Sequence, residues 1–147
     1  MIVYLDASAL VKRYVDEPAS DQVRDLLSER PVVVTALITR VEVAAAILKA
    51  VRTGRVSEQE ADWALEAFRK DWNDIARINL TEMVAEDAVQ LARKHHLRSY
   101  DAVHLASAVL LLSDSKSSEP VTVATFDKEL WQSALAEGLT AWPEKLE

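Results

Sequence analysis

The stretch Ile2–Leu10 reads IVYLDASAL, an apolar run that breaks off at Asp6. A short apolar run bounded in this way is typical of a buried strand, and aspartate is a residue type that commonly begins a helix. The same order recurs near the other end of the chain, where Val121–Ala124 is soon followed by Asp127. The sequence therefore predicts two buried strands, each with an aspartate beyond its carboxyl end.

The remaining segments alternate in the same manner between short apolar runs and amphipathic stretches. The predicted strands are rich in β-branched residues and lack polar alternation: Ile2–Leu5, Val32–Thr35, Ile75–Leu80, Val121–Thr125 and, more weakly, Leu139–Trp142. Helices are predicted over Ser20–Glu29, Arg40–Thr53, Glu58–Trp72, from Thr81 onward, over Ala102–Leu112 and over Asp127–Glu137. Strands without alternation are covered on both faces. We therefore predict an α/β fold with a parallel sheet between helices.

One pair of predicted helices, Arg40–Thr53 and Glu58–Trp72, has no strand between its members. Ser57 and Glu60 form a capping-box pattern at the start of the second helix. The pair is either a projecting hairpin or a surface for self-association. Trp63 lies off the inward stripe of its helix and favours self-association.

Length and composition indicate a single globular domain over residues 1–147, with 50% hydrophobic and 28% charged residues. The chain has no cysteine, so disulfides and thiolate zinc sites are ruled out. The first apolar run is too short for a signal sequence, and no segment approaches the roughly 20 apolar residues that span a bilayer. We expect a cytoplasmic protein with no membrane partner.

The formal net charge of −7 weakens the hypothesis of a nucleic-acid partner, because basic surfaces usually supply that affinity. Acids gathered at a metal site would contribute to this total without describing the outer surface. A local basic rim is still predicted from Lys12, Arg13, Arg24, Arg40 and Arg98.

The two aspartates at strand ends allow two interpretations. Asp6 and Asp127 could each cap the helix that follows. Alternatively, they could face each other across a crevice, because open α/β sheets bind ligands where the strand order reverses. The first and fourth strands are natural neighbours at such a point.

Two further carboxylates occur in helices that are otherwise almost wholly apolar. Glu42 has no cation three or four residues away, so it either lies on an exposed edge, pairs with a distant arginine, or belongs to a site. Asp101 could be a helix cap or first-turn acid, or a site residue. His104 shares a stripe with Asp101 and is interpreted as a satisfied core histidine or a residue that supports a ligand, rather than as a ligand.

Together these observations favour a metal site. The four acids Asp6, Glu42, Asp101 and Asp127 would repel one another at one sheet edge unless a cation held them. Because only oxygen ligands are offered, the expected ion is a hard cation such as Mg²⁺ or Mn²⁺.

The motifs that carry these acids resemble those of PIN domains, particularly VapC-type toxins of prokaryotic toxin–antitoxin pairs. The matching segments are in family order and span essentially the whole chain: Val3–Leu10, Thr39–Val43, Ser99–Ala106 and Ala124–Asp127. The resemblance implies a three-layer α/β/α sandwich and a Mg²⁺- or Mn²⁺-dependent endoribonuclease. It also implies a homodimer with an RNA substrate and a cognate antitoxin protein.

Residue roles follow from the same resemblance. Asp6, Asp101 and Asp127 are expected to hold the metal, directly or through water, and Glu42 to complete its shell or orient the attacking water. Ser8 and Thr125 match polar positions near the metal. Hydrolysis of the RNA phosphodiester by a metal-activated water should leave a 5′-phosphate and a 3′-hydroxyl.

The alternative is a PIN-like module that binds RNA or protein without cutting. Loss of an acid usually marks such modules, and all four acids are present in this chain. An assay with metal, against a control with EDTA, separates the two hypotheses.

Overall fold

The computed structural model describes residues 1–114 and 119–147. Its strands are β1 (Ile2–Leu5), β2 (Val32–Ala36), β3 (Ala76–Ile78), β4 (Val121–Ala124) and β5 (Thr140–Trp142). Its helices are α1 (Ala7–Leu10), α2 (Ser20–Ser28), α3 (Thr39–Arg52), α4 (Glu58–Trp72), α5 (Glu82–His95), α6 (Ser99–Asp114) and α7 (Lys128–Ala136), with a 3₁₀ turn at Val11–Arg13. The predicted alternation of strands and helices is confirmed.

The five strands form one parallel sheet in the order β3-β2-β1-β4-β5. The first and fourth strands are neighbours, as predicted, and Leu5 lies opposite Ala124 at their carboxyl ends. Because β2 and β4 flank β1 on opposite sides, the strand order reverses beside β1. This is the position at which open α/β sheets build ligand sites.

The side chains of β1 alternate between two hydrophobic cores, one on each face of the sheet. Val3 and Leu5 belong to the core that contacts α1, α2, α3 and α4. Tyr4 belongs to the core formed with α5, α6 and α7. Burial on both faces explains the unbroken apolar character of the strand. The result is the expected three-layer α/β/α sandwich.

Two elements differ from the prediction by more than one residue at an end, and several others differ by a single residue. The third strand is Ala76–Ile78 rather than Ile75–Leu80, because only three of its residues pair with β2 at the edge of the sheet. The helix predicted over Ala102–Leu112 runs over Ser99–Asp114. The amide of Ala102 already donates to the carbonyl of Arg98 at 3.0 Å, so Asp101 lies inside the first turn rather than before the helix.

The helix pair α3 and α4 does not project from the protein. The stripe of α4 that includes Phe68 and Trp72 is buried in the core around β1. The predicted capping box is present, with Ser57 and Glu60 bonded to each other's backbone amides at 3.1 Å. Trp63 is 65% exposed on the outer face, where self-association stays a prediction. Among residues 1–114 and 119–147, none of the helices combines the length and the apolar character that a membrane span requires.

Candidate active site

The four predicted acids lie in one cleft at the carboxyl edge of the sheet. They come from four separate parts of the chain, and the cleft has a volume of about 520 Å³. Its lining consists of Asp6, Ala7, Ser8, Glu42, Arg98, Ser99, Tyr100, Asp101, His104 and Asp127. The structure therefore brings together the whole set of acids that the sequence analysis singled out.

Asp6 is both the cap of α1 and a buried residue of the cleft, so both interpretations of Asp6 are correct. Its side chain is only slightly exposed, and its Oδ1 accepts hydrogen bonds from the Ala9 amide at 3.1 Å and the Ser8 hydroxyl at 2.7 Å. Burial raises the pKa of Asp6, while the charge of His104 and the bonds from Ser8 and Thr125 lower it. The net shift is upward, which means that removal from water outweighs the hydrogen bonds.

Thr125 and Ser8 connect the ends of β1 and β4. The Thr125 hydroxyl donates to Asp6 Oδ2 at 2.7 Å and accepts from the Asp127 amide at 3.0 Å. The Ser8 hydroxyl accepts from the Phe126 amide at 2.9 Å. The two predicted supporting residues therefore orient the acids through hydrogen bonds.

Asp127 caps α7 through one oxygen and offers the other to the cleft. Its Oδ1 accepts from the Leu130 amide at 3.1 Å, and its Oδ2 accepts from Arg98 Nη2 at 3.0 Å. The same Arg98 nitrogen lies 3.5 Å from Asp101 Oδ2. One exposed guanidinium thus neutralises part of the charge of two carboxylates.

Asp101 lies in the first turn of α6 and is 7% exposed. Burial raises its pKa first, and the neighbouring charge of Asp127 raises it further, against the opposing effect of Arg98. A cation bound beside Asp101 would relieve the repulsion that raises this pKa.

Glu42, in the first turn of α3, lines the cleft and pairs with a side chain that is distant in the sequence. Its Oε1 is 2.7 Å from His104 Nε2, and His104 Nδ1 is 2.7 Å from the hydroxyl of Tyr4. Burial disfavours a charged imidazole, yet the bond to Glu42 and the charge of Asp6 outweigh it and raise the pKa of His104. His104 is the satisfied, supporting histidine that the sequence favoured, and Glu42 pairs with it rather than with an arginine.

The sequence patterns did not identify Glu129 as a candidate site residue. Ligand oxygens of Asp101, Asp127 and Glu129 lie within 4.8 Å of one another, which is close enough to share one metal ion. Glu129 is exposed on the first turn of α7, two residues after Asp127. Its place in an exposed helical turn gave no sign of burial, so the only available signal was its proximity to Asp127 in the chain.

The predicted basic rim is only partly placed at the cleft. Arg98 lines it. Lys12 pairs with Glu17, Arg13 with Asp71, and Arg24 with Asp16 and Asp21. Arg40 is exposed on α3.

Comparison with known proteins agrees with this architecture. The sequence model of the PIN domain matches residues 3–136. Ribonuclease VapC45 of Mycobacterium tuberculosis is 33% identical over 146 residues, which cover 99% of this chain and 98% of that protein.

Two solved structures have a similar fold at low sequence identity. A toxin–antitoxin complex from Klebsiella pneumoniae contains a chain that matches with a TM-score of 0.65 and 17% identity, covering 99% of each chain. The sarcin-ricin loop cleaving toxin VapC20 of Mycobacterium tuberculosis matches with a TM-score of 0.66 and 17% identity, again covering 99% of each chain. The match of the domain model across the chain, together with the near-complete alignment to a VapC ribonuclease, means that this protein belongs to the PIN domain family and to its VapC-type group.

Proposed function

We propose that this protein is an endoribonuclease, the toxin of a toxin–antitoxin pair, and that it depends on Mg²⁺ or Mn²⁺. The observation that carries the proposal is the convergence of Asp6, Glu42, Asp101 and Asp127 on one cleft. Relatedness to VapC ribonucleases supports RNA as the substrate class.

The donor set fits a hard divalent cation. The cleft offers carboxylate oxygens, and the oxygens of Asp101, Asp127 and Glu129 are already close enough to share one ion. Asp6, Asp101 and Asp127 would hold the cation directly or through water, with Glu42 completing the shell. A divalent ion there neutralises phosphate charge and lowers the pKa of bound water.

The protein's own residues prepare the cleft for this chemistry. Ser8 and Thr125 hold the Asp6 carboxylate in one orientation from both of its oxygens. Glu42 would complete the shell or orient the attacking water with its free oxygen, because its other oxygen is fixed by His104. Arg98 reaches the mouth of the cleft, where a guanidinium can bind a backbone phosphate. Products with a 5′-phosphate and a 3′-hydroxyl are expected.

The proposed partners are a cognate antitoxin and a second copy of this chain. Relatives named as VapC ribonucleases support the first, as does the fold shared with a chain of a toxin–antitoxin complex. A short DNA-binding protein encoded next to this chain would support it further. We propose that the pair acts in the cytoplasm.

The test is cleavage of a mixed RNA substrate by purified protein with Mg²⁺ or Mn²⁺, and with EDTA as the control. Asp6→Asn and Asp101→Asn should each lower the rate by at least about 100-fold, because each removes a charge at the proposed metal site. Glu86→Gln, at an exposed position on α5, should leave the rate unchanged. Cleavage that survives EDTA or both aspartate variants would contradict the proposal. RNA binding without any cleavage would favour the non-catalytic module.

A further inference from the structure

A hydrogen-bonded network of three side chains leads from the hydrophobic core to the cleft, and the acidic set alone does not explain it. Tyr4 on β1, His104 on α6 and Glu42 on α3 are linked in that order by two contacts of 2.7 Å each. Tyr4 is fully buried, His104 is 2% exposed, and the side chain of Glu42 is 24% exposed at the cleft. The network therefore runs from the hydrophobic core to the proposed catalytic surface.

The chemistry of the end groups determines which atom of His104 carries a proton. An ionised carboxylate only accepts hydrogen bonds, so His104 Nε2 must be the protonated atom that donates to Glu42. The Tyr4 hydroxyl forms a hydrogen bond with the other ring nitrogen, Nδ1, and so restrains the orientation of the His104 ring. In the neutral ring that hydroxyl donates to Nδ1, which fixes the tautomer with its proton on Nε2.

The packing of the ring explains why this donor is well placed. The ring of Tyr4 meets the ring of His104 edge to face, with centroids 5.9 Å apart and planes inclined by 70°. No buried side-chain nitrogen or oxygen lacks a partner in the part of the chain that the structure describes. A fully satisfied buried network holds one geometry, because any other would leave a polar group unpaired.

We propose that His104 is a positioning residue for Glu42, held by Tyr4, and that it directs the free carboxylate oxygen of Glu42 into the cleft. This inference rests on one part of the proposed function, the contribution of Glu42 to the metal site. Residues that hydrogen-bond metal ligands commonly change metal affinity or activity by about 10-fold to 100-fold when they are replaced. His104 fills that role here although it is not itself a ligand.

Two substitutions of His104 distinguish its role as a hydrogen-bond donor to Glu42 from a role in filling space in the core. His104→Gln carries an amide nitrogen at about the reach of imidazole Nε2, so it can still donate to Glu42. His104→Asn carries a shorter amide that can serve Tyr4 but falls short of Glu42. The measurement is the Kd of Mn²⁺ by calorimetry without RNA, together with thermal unfolding of each metal-free variant and kcat and KM for RNA cleavage.

We expect His104→Asn to raise the Kd of Mn²⁺ by at least about tenfold and to lower kcat with little change in KM, while His104→Gln restores most of both. In a Glu42→Gln background the Asn substitution should change the Kd by less than about twofold, because the carboxylate that His104 directs toward the metal has been replaced by an amide. Equal Kd values for the Asn and Gln variants would overturn the proposal. So would an undiminished effect of His104→Asn in the Glu42→Gln background.

Tyr4→Phe tests the same network while both His104 and Glu42 are retained. It removes one hydroxyl and should raise the Kd of Mn²⁺ about threefold, as expected for partial loss of one hydrogen bond. An unchanged Kd would overturn the role of Tyr4, and this variant decides the question if His104→Asn does not fold.

The proposed function and this inference fail in different ways. If the wild type cuts RNA and Asp101→Asn does not, but the Asn and Gln variants of His104 behave alike, the inference fails and the function stands. If the wild type cuts no RNA but its Kd for Mn²⁺ depends on His104 through Glu42, the function fails and the inference stands.

Discussion

Thr125 donates its hydroxyl proton to Asp6 Oδ2 at 2.7 Å across the adjacent ends of β4 and β1. The same hydroxyl accepts from the amide of Asp127 at 3.0 Å and is fully buried. One hydroxyl therefore sets the relative position of two acids that are far apart in the chain. The sheet register creates this contact, since Leu5 and Ala124, the residues just before Asp6 and Thr125, lie opposite each other.

Thr125→Val keeps the shape of the side chain and removes this hydroxyl. The free energy of unfolding should fall by about 1–3 kcal/mol, because a buried carboxylate and a backbone amide lose their partner. RNA cleavage should slow by at least about tenfold, as expected when a metal ligand loses its hydrogen-bonded support. Urea unfolding and initial rates measure the two effects. Thr125→Ser retains the hydroxyl and serves as the matched control, and equal behaviour of the Val and Ser variants would contradict this assignment.

The sequence was sufficient to predict the elements that place the acids. Apolar runs without alternation indicated strands covered on both faces, and β1 and β4 are indeed neighbours. The ends of those strands located Asp6 and Asp127. An acid in an apolar helix, as at Glu42 and Asp101, was informative because an unpaired buried charge is costly.

Local sequence patterns could not predict the contacts between different helices and strands. His104 and Glu42 are 62 positions apart, and periodicity along one helix says nothing about which side chain it meets on another. Glu129 was missed because an exposed acid in a first helical turn has an ordinary explanation in the helix dipole. The predicted start of α6 at Ala102 was three residues late, although the interpretation of Asp101 as a first-turn acid is confirmed.

Asp101 should make the stability of the metal-free protein depend on pH. Its pKa is raised in the folded state, so the folded protein binds this proton more readily than the unfolded chain does. Ionised Asp101 therefore lowers the free energy of unfolding. Protonation of Asp101 removes this destabilisation as the pH falls from the raised pKa toward the ordinary value of 3.8.

Asp101→Asn should consequently unfold at higher denaturant than the wild type in EDTA at about pH 8, with an advantage that shrinks as the pH falls toward 3.8. Chemical unfolding at a series of pH values measures this difference. Asp87→Asn, at an exposed position on α5, is the control for loss of one negative charge. A constant difference between Asp101→Asn and the wild type across the series would count against burial and repulsion as the cause.

Glu129 should contribute less to metal binding than Asp127, although both belong to the group of oxygens within 4.8 Å. Glu129 is exposed and must lose side-chain freedom to bind, whereas Asp127 is already fixed as the cap of α7. Asp127→Asn should raise the Kd of Mn²⁺ by at least about tenfold, and Glu129→Gln by about two- to fivefold. Calorimetry gives both values, and Glu86→Gln is the control. A Glu129→Gln variant that binds Mn²⁺ like the wild type would remove Glu129 from the site.

Arg98 should compete with a divalent cation for the same carboxylates. Its Nη2 lies 3.0 Å from Asp127 and 3.5 Å from Asp101, yet its side chain is 75% exposed, so the pairing is weak and readily exchanged. Arg98→Ala should therefore lower the Kd of Mn²⁺ by about threefold without RNA, and should raise KM for RNA because a cation that can bind phosphate is lost. Lys128→Ala removes the same charge from an exposed position beside Asp127 and controls for the general field. If both substitutions changed Mn²⁺ binding equally, direct competition by Arg98 would be excluded and only a general effect of charge would remain.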